Sequence, residues 1–268
     1  MKKISLFWIG ILIMALFLSG CNNSGDAESG STETASTTEA EITTEAASDS
    51  KDTAAEADED DVVYEGDASS YYIDVVYAEQ IDRYYTALSE KWSKDKYVEN
   101  GLSSQPADYY EGNPLNNIGF GFVDLNNNGH WELIIGAISG AEKNPAVFEI
   151  WTLIDDKPVM VSQADEKNHF ALQYVEEDLA WYVAREVSDS GDKHGTYYLM
   201  LEEDKLEVMQ GILYDAAADG KNPWFMTYDL DGDVSNDEAI DEETAKAILE
   251  TNRNHYTAME YFPYILYK

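Results

Sequence analysis

Eight runs rich in large apolar and β-branched residues follow one another between residues 118 and 214, and some of the gaps between them admit only a tight turn. Residues 118–123 alternate, with Ile118, Phe120 and Phe122 on one face and glycines on part of the other. Further strands are expected over 132–138, 147–154, 159–162, 169–174, 179–187, 196–201 and 206–214. Asp155-Asp156-Lys157 and Glu203-Asp204-Lys205 read as hairpin turns. Connections this short join antiparallel neighbours, because a parallel crossover takes about a dozen residues or more. Ahead of the strands, Tyr77, Ile81, Tyr84, Tyr85, Leu88 and Trp92 recur at helical spacing, with Gly101 as the stop. The polar stretch 103–117, with Pro106, Gly112 and Pro114, reads as a loop. A last helix should start near Asp241 as N-cap, with Glu242 and Glu243 in its first turn. The expected fold class is α+β, an antiparallel β-meander sheet with an N-terminal and a C-terminal helix.

The N-terminus has a different character. Lys2 and Lys3 precede an apolar run over 4–18, broken only by Ser5 and Gly10, which ends in Leu18-Ser19-Gly20-Cys21. A short positive region, an apolar core and small residues at the end form a secretory signal. A membrane-spanning helix needs roughly 20 apolar residues, and here Asn22, Asn23 and Ser24 follow at once. The tetrapeptide resembles the lipobox of bacterial lipoproteins, which implies lipidation of Cys21 and cleavage before it. The alternative is an ordinary secretory peptide or an uncleaved anchor. Cys21 is the one cysteine in the chain, so no bridge can close within it.

Residues 21–62 are dominated by Ser, Thr, Ala, Glu and Asp, with Lys51 the single base. Such a segment cannot bury enough apolar surface to offset the entropy of ordering, and like charges extend it further. The expected layout is a signal segment over 1–20, a lipidated acidic tether over 21–62 and one extracellular domain over 63–268. The expected location is the outer face of the cytoplasmic membrane. With 53 acidic and 17 basic side chains, the net charge is −36. Nucleic acid is excluded as a partner, because its phosphates demand basic patches. Adsorption to anionic lipid is equally disfavoured, which leaves the N-terminal lipid as the route to the membrane. The charge favours cationic partners, divalent metals among them.

The segment from Asp124 to Glu132 carries the most chemistry. Side-chain oxygens of Asp124, Asn126, Asn128 and Glu132 fall at loop positions one, three, five and nine, with Gly129 at six. This spacing curls oxygens around one centre, as a calcium ion requires. His130, at position seven, would contribute its backbone carbonyl. Ile135 stands where an EF-hand places its bidentate Glu, and the flanks read as strands. With two charged ligands the affinity should lie in the roughly 0.1–1 mM range of extracellular modules. The competing reading is a turn in which Asn and Gly supply left-handed conformations and the side chains cap the backbone. A second acidic run, from Asp229 to Asp237, fits no clean register and reads as a solvated turn before the last helix.

No arrangement in the sequence identifies a catalyst. The four histidines, His130, His169, His194 and His255, lack zinc spacing, and no Gly-x-Ser-x-Gly elbow occurs. Paired carboxylates for glycoside hydrolysis are recognised in space, not in sequence. The stretch from Ser188 to Gly195 is a polar loop able to face a ligand, or a long hairpin connection. The tryptophans beyond the signal segment, Trp92, Trp131, Trp151, Trp181 and Trp224, can form a binding platform or simply fill the core.

From Ile118-Gly119 through Asp124 and Gly129 to Glu132-Leu133-Ile134-Ile135-Gly136, the chain resembles a family of uncharacterised surface lipoproteins from Gram-positive bacteria. The family signature is Ile-Gly…Asp-x-Asn-x-[Asp/Asn]-Gly-x-x-Glu-Leu-Ile-Ile-Gly. Ile150-Trp151-Thr152-Leu153, Lys157-Pro158-Val159, Lys167-Asn168-His169-Phe170, Trp224 and Tyr261-Phe262-Pro263-Tyr264 agree in order. Asn126-Asn127-Asn128 stands where the family usually has Asn-Gly-Asp, and Lys167 where it usually has Arg. The resemblance implies a location and a module type, without an activity. The expected function is a membrane-anchored extracellular module, a non-catalytic binding domain with a weak calcium loop and an unknown extracellular ligand or protein partner. The alternative is a cell-surface hydrolase, directed at glycan or wall and using paired carboxylates.

Overall fold

The eight expected strands form as β1 (Ile118–Val123), β2 (Glu132–Ala137), β3 (Val147–Ile154), β4 (Lys157–Gln163), β5 (Asn168–Val175), β6 (Ala180–Ser190), β7 (Lys193–Glu202) and β8 (Lys205–Asp215). Three shorter ones, β9 (Trp224–Thr227), β10 (Glu238–Ile240) and β11 (Phe262–Pro263), extend the sheet. The computed structural model describes residues 68–138, 146–218 and 222–268, all within the unit Asp60–Lys268. The signal segment, Cys21 and the 21–62 tether lie outside the described residues. Every pairing is antiparallel, in the order β10-β9-β8-β7-β6-β5-β3-β2-β1-β11, with β4 beside β3 off this path. The turns are tighter than the sequence suggests. Asp155 (φ 49°) and Asp156 (φ 59°) make the β3–β4 turn alone, and Lys157 already pairs with Ile154. Likewise Lys205 pairs with Glu202.

The helices correct one expectation. The periodic run does not continue as one helix to Gly101. The short α1 (Ala68–Tyr71) passes through a π-turn into α2 (Ala78–Ser89), and α3 (Lys94–Glu99) follows as a separate element. Lys91 adopts φ 49° between them, and Ser93 caps the new helix by accepting from Lys96 N–H at 3.3 Å. Gly101 (φ 67°) then terminates α3. The stretch over 103–117 also contains a 3₁₀ turn, Gln105–Tyr109, and the short α4 (Pro114–Asn117). The last helix, α5 (Glu242–Arg253), starts where expected, with Asp241 Oδ1 accepting from Thr244 N–H at 2.7 Å.

The two sheet faces bury different partners. On one, Tyr77, Ile81, Tyr84 and Leu88 of the N-terminal helical region pack against Ile118, Phe120, Leu133, Ile135 and Phe148. Tyr264 is wedged into this cluster, its ring 5.1 Å from Phe120 and 6.4 Å from Tyr84. Farther along, α5 covers Ile212 and Ile240. The opposite face of the strands closes on itself. Ile134, Val147, Ile150, Phe170, Leu172, Val183 and Leu199 form one cluster, and Val161 of β4 and Leu206 and Val208 of β8 pack against it. The glycines of β1 and β2 belong to this face. A Cβ on Gly121 would lie 2.8 Å from Met259 Cε, and one on Gly119 2.8 Å from Tyr261 Cβ. A bare strip across the two strands therefore lets the segment before β11 cross them.

Candidate functional site

The Asp124 loop is the β1–β2 turn. Asp124 accepts through both carboxylate oxygens, from Asn128 N–H at 3.0 Å and Gly129 N–H at 2.9 Å. Asn126 Oδ1 accepts from Asn128 N–H at 3.3 Å, and Asn128 Oδ1 from His130 N–H at 2.7 Å. Asn127 (φ 56°) and Gly129 (φ 88°) supply the left-handed residues. Glu132 is fully buried. Its Oε2 accepts from Leu125 N–H at 2.7 Å and its Oε1 from the Thr152 hydroxyl at 2.9 Å, so it staples the loop to β3. The structure thus gathers Asp124, Asn126 and Asn128 around the loop backbone, leaves His130 exposed and commits Glu132 to the interior. The fit to calcium is a partial one. The loop offers one surface carboxylate with amide and carbonyl oxygens. Among the described residues, no three His, Cys, Asp or Glu side chains assemble as a metal group.

A second buried carboxylate, Glu149 on β3, carried only a faint sequence signal, a lone acid in an apolar run. It accepts from Ser103 N–H at 2.7 Å, Trp151 Nε1–H at 2.9 Å and Gln163 Nε2–H at 3.1 Å. Burial pushes both Glu132 and Glu149 above the usual carboxylate range, against the hydrogen bonds each accepts. Both are sealed in the core rather than facing a cleft.

A cavity of about 250 Å³ opens where the β6–β7 hairpin meets the start of β5. Val187, Tyr197, Leu213 and Leu230 supply apolar wall, and Asn168, Arg185, Lys193 and His194 supply polar groups. The Ser188–Gly195 stretch singled out by sequence is the hairpin beside it, with a bulge between Ser188 and Ser190. The second acidic run contributes Leu230 and Gly232 to the wall. That run is a chain of Asx turns, with Asp229, Asp231 and Asp233 each accepting from the backbone two residues on. Lys193 Nζ anchors it by donating to Gly232 O at 2.7 Å.

Arg185 is held by a relay. Asn168 Nδ2 donates to the Asp165 carboxylate at 2.9 Å, which turns Asn168 Oδ1 towards Arg185. Arg185 Nε and Nη2 donate to that oxygen at 2.9 and 2.7 Å. Burial works to raise the Asp165 carboxyl, but Asn168 and the Lys167 and Asn168 N–H groups outweigh it and hold it below the ordinary range. Sequence could not have assembled this group, because its members come from separate stretches of chain. The tryptophans form no single platform. Trp92 and Trp151 belong with the helix-side core, Trp181 with the opposite face, and Trp224 with α5.

Comparison with family models, curated proteins and solved structures finds no match to this chain.

Proposed function

We propose that this chain is a lipid-anchored extracellular binding module, tethered through Cys21 by the acidic segment 21–62, as the surface-lipoprotein resemblance implies. The observation that supports binding is the β6–β7 cavity, where apolar walls and a few convergent polar groups meet as they do in ligand sites. The hydrolase alternative requires two carboxyls facing one cleft. Glu132 and Glu149, the carboxyls buried in the core among the described residues, instead satisfy interior donors. The test uses the full chain and a Cys21→Ser variant expressed in a Gram-positive host. Labelled fatty acid should enter only the parent, and the parent, captured on beads, should retain components of a wall digest without shortening them. Labelling of the variant, or turnover of the digest, refutes this reading.

The Asp124 loop is proposed as a weak calcium site, with Asp124, Asn126, Asn128 and the His130 carbonyl as donors and Glu132 as the residue that fixes the loop. Binding to the native state at ten times Kd stabilises by roughly 1.4 kcal/mol. In a domain this size that raises Tm by about 2–5 °C. Millimolar calcium should produce this rise, with magnesium giving less. Asp124→Ala should remove the response and His130→Ala keep it. An unchanged wild-type Tm at several millimolar calcium makes the loop a turn only.

A further inference from the structure

The geometry points to the β6–β7 cavity as a carboxylate site, in which Arg185 grips the single carboxylate of a small ligand while Val187, Tyr197, Leu213 and Leu230 cover its apolar body. This rests on the proposal that the cavity binds a ligand, and adds the chemical class.

Arginine is scarce in this chain. Only Arg83, Arg185 and Arg253 occur. Arg83 donates to the Asn100 carbonyl, and Arg253 lies 3.5 Å from the Glu186 carboxylate. Arg185 differs from both. It lines the cavity, and among the described residues no carboxylate comes within ion-pair distance of it. Its hydrogen-bond partner is one neutral amide oxygen, which accepts from the Nε and one terminal nitrogen. The other terminal nitrogen, together with the second hydrogen of the first, is left as an end-on pair of donors for a further acceptor. A guanidinium presents five N–H donors in a fixed fork that matches a carboxylate. The Asp165–Asn168 relay fixes the plane of that fork in advance, so ordering it on binding costs little. The cross-strand neighbours of Arg185 are Phe170 and Tyr197, both buried. In such a setting a charge-assisted hydrogen bond is stronger than in water.

The surroundings set the charge of the ligand. Lys167 is already paired with Asp189 at 2.6 Å, and Lys193 with Gly232 O and, at 3.5 Å, Asp215. Of Lys167, Lys193 and Arg185, Arg185 alone has no ion pair, and the Asp165 carboxylate behind Asn168 acts on it only at longer range. Asp229, Asp231 and Asp237 act on Tyr197 at the cavity wall, and Asp233 lies near Lys193. These acids repel a second negative charge, so a monocarboxylate is favoured over a phosphate dianion. The volume suits a body of a few carbons or a single ring.

The test titrates the full chain in detergent with phenylacetate, hexanoate, phenylacetamide and inorganic phosphate, following heat by calorimetry. In parallel, phenylglyoxal modification of each arginine is read by mass spectrometry. The two carboxylates should bind and protect Arg185, with Arg83 and Arg253 unprotected, and the amide and phosphate should bind at least tenfold more weakly. Arg185→Gln should weaken carboxylate binding at least tenfold at an unchanged Tm. Arg185→Lys, which keeps the charge without the fork, should fall between. The protection arm needs no variant, so it decides the matter if both variants misfold. Equal binding of phenylacetate and phenylacetamide overturns the carboxylate assignment and leaves the cavity a ligand site. Tighter phosphate binding overturns it too. Silence from every probe at 10 mM overturns both the assignment and the cavity reading.

Discussion

Tyr264→Ala should destabilise the fold by about 3–5 kcal/mol, the range for deleting a large aromatic from a core. Tyr264 is fully buried. Its ring contacts Phe120 at 5.1 Å, Tyr84 at 6.4 Å and Tyr267 at 6.4 Å, joining α2, β1 and the C-terminal turn. Removing it leaves a cavity among residues held on three sides, where collapse is restricted. Tyr264→Phe should behave in the opposite way. The Tyr264 hydroxyl has no hydrogen-bond partner among the described residues, and a buried unsatisfied hydroxyl is itself a penalty of about 1–3 kcal/mol. Urea denaturation of the full chain and both variants checks this. A phenylalanine variant as unstable as the alanine one would show that the hydroxyl is used.

The second large effect is on the pH axis. Burial raises Glu132 and Glu149 above their ordinary values, so the folded state binds their protons more tightly than the unfolded chain does. Their contribution is fully present below the unfolded glutamate value, near pH 4.3, and is lost as pH rises through the raised values. Carboxyls held low act in the other direction. Asp241, held by the Thr244 N–H, and Asp165 contribute above about pH 3.9 and lose that contribution as pH falls through their depressed values. Stability should therefore peak near pH 4–5, and Tm should be several degrees higher at pH 5 than at pH 8. Relief of self-repulsion in a chain of net charge −36 works in the same direction. Glu132→Gln separates the two causes. The amide can still accept from Leu125 N–H and donate to the Thr152 hydroxyl, so the variant should fold and show a shallower slope. An unchanged slope assigns the whole dependence to surface charge.

The sheet was legible where strands are long and turns short. From β1 to β8, apolar and β-branched runs locate the strands, with alternation marking β1 and tight turns marking the β3–β4 and β7–β8 hairpins. The three short strands left no such trace. β9 spans four residues, β10 three, and β11 two with a proline, too few for a period of two to register. The broken N-terminal helix escaped because the apolar spacing from Leu88 to Trp92 runs on across the break. The Ser93 cap, a local signal, was the clue. The Arg185 site left no trace in the sequence for another reason, that it is assembled in space. Asp165 and Asn168 lie on one approach, Arg185 on β6, and the acidic turns forty residues and more beyond, and only strand register brings them to one place.

The passage of residues 259–264 over the bare glycine strip ties the two ends of the described chain together. The Tyr267 hydroxyl donates to Asp82 across 185 residues of sequence, and β11 pairs with β1. Contacts of such separation slow folding, because a long loop must close before they form. In synthesis from the N-terminus, Phe120 and its neighbours emerge early, soon after the helical region that packs on them, yet their cover stays incomplete until Tyr264 arrives. The first-made part of this core is thus completed by the last-made residues. No stretch of this domain lacking residues 261–267 can finish the core, so the last residues made decide when folding is complete.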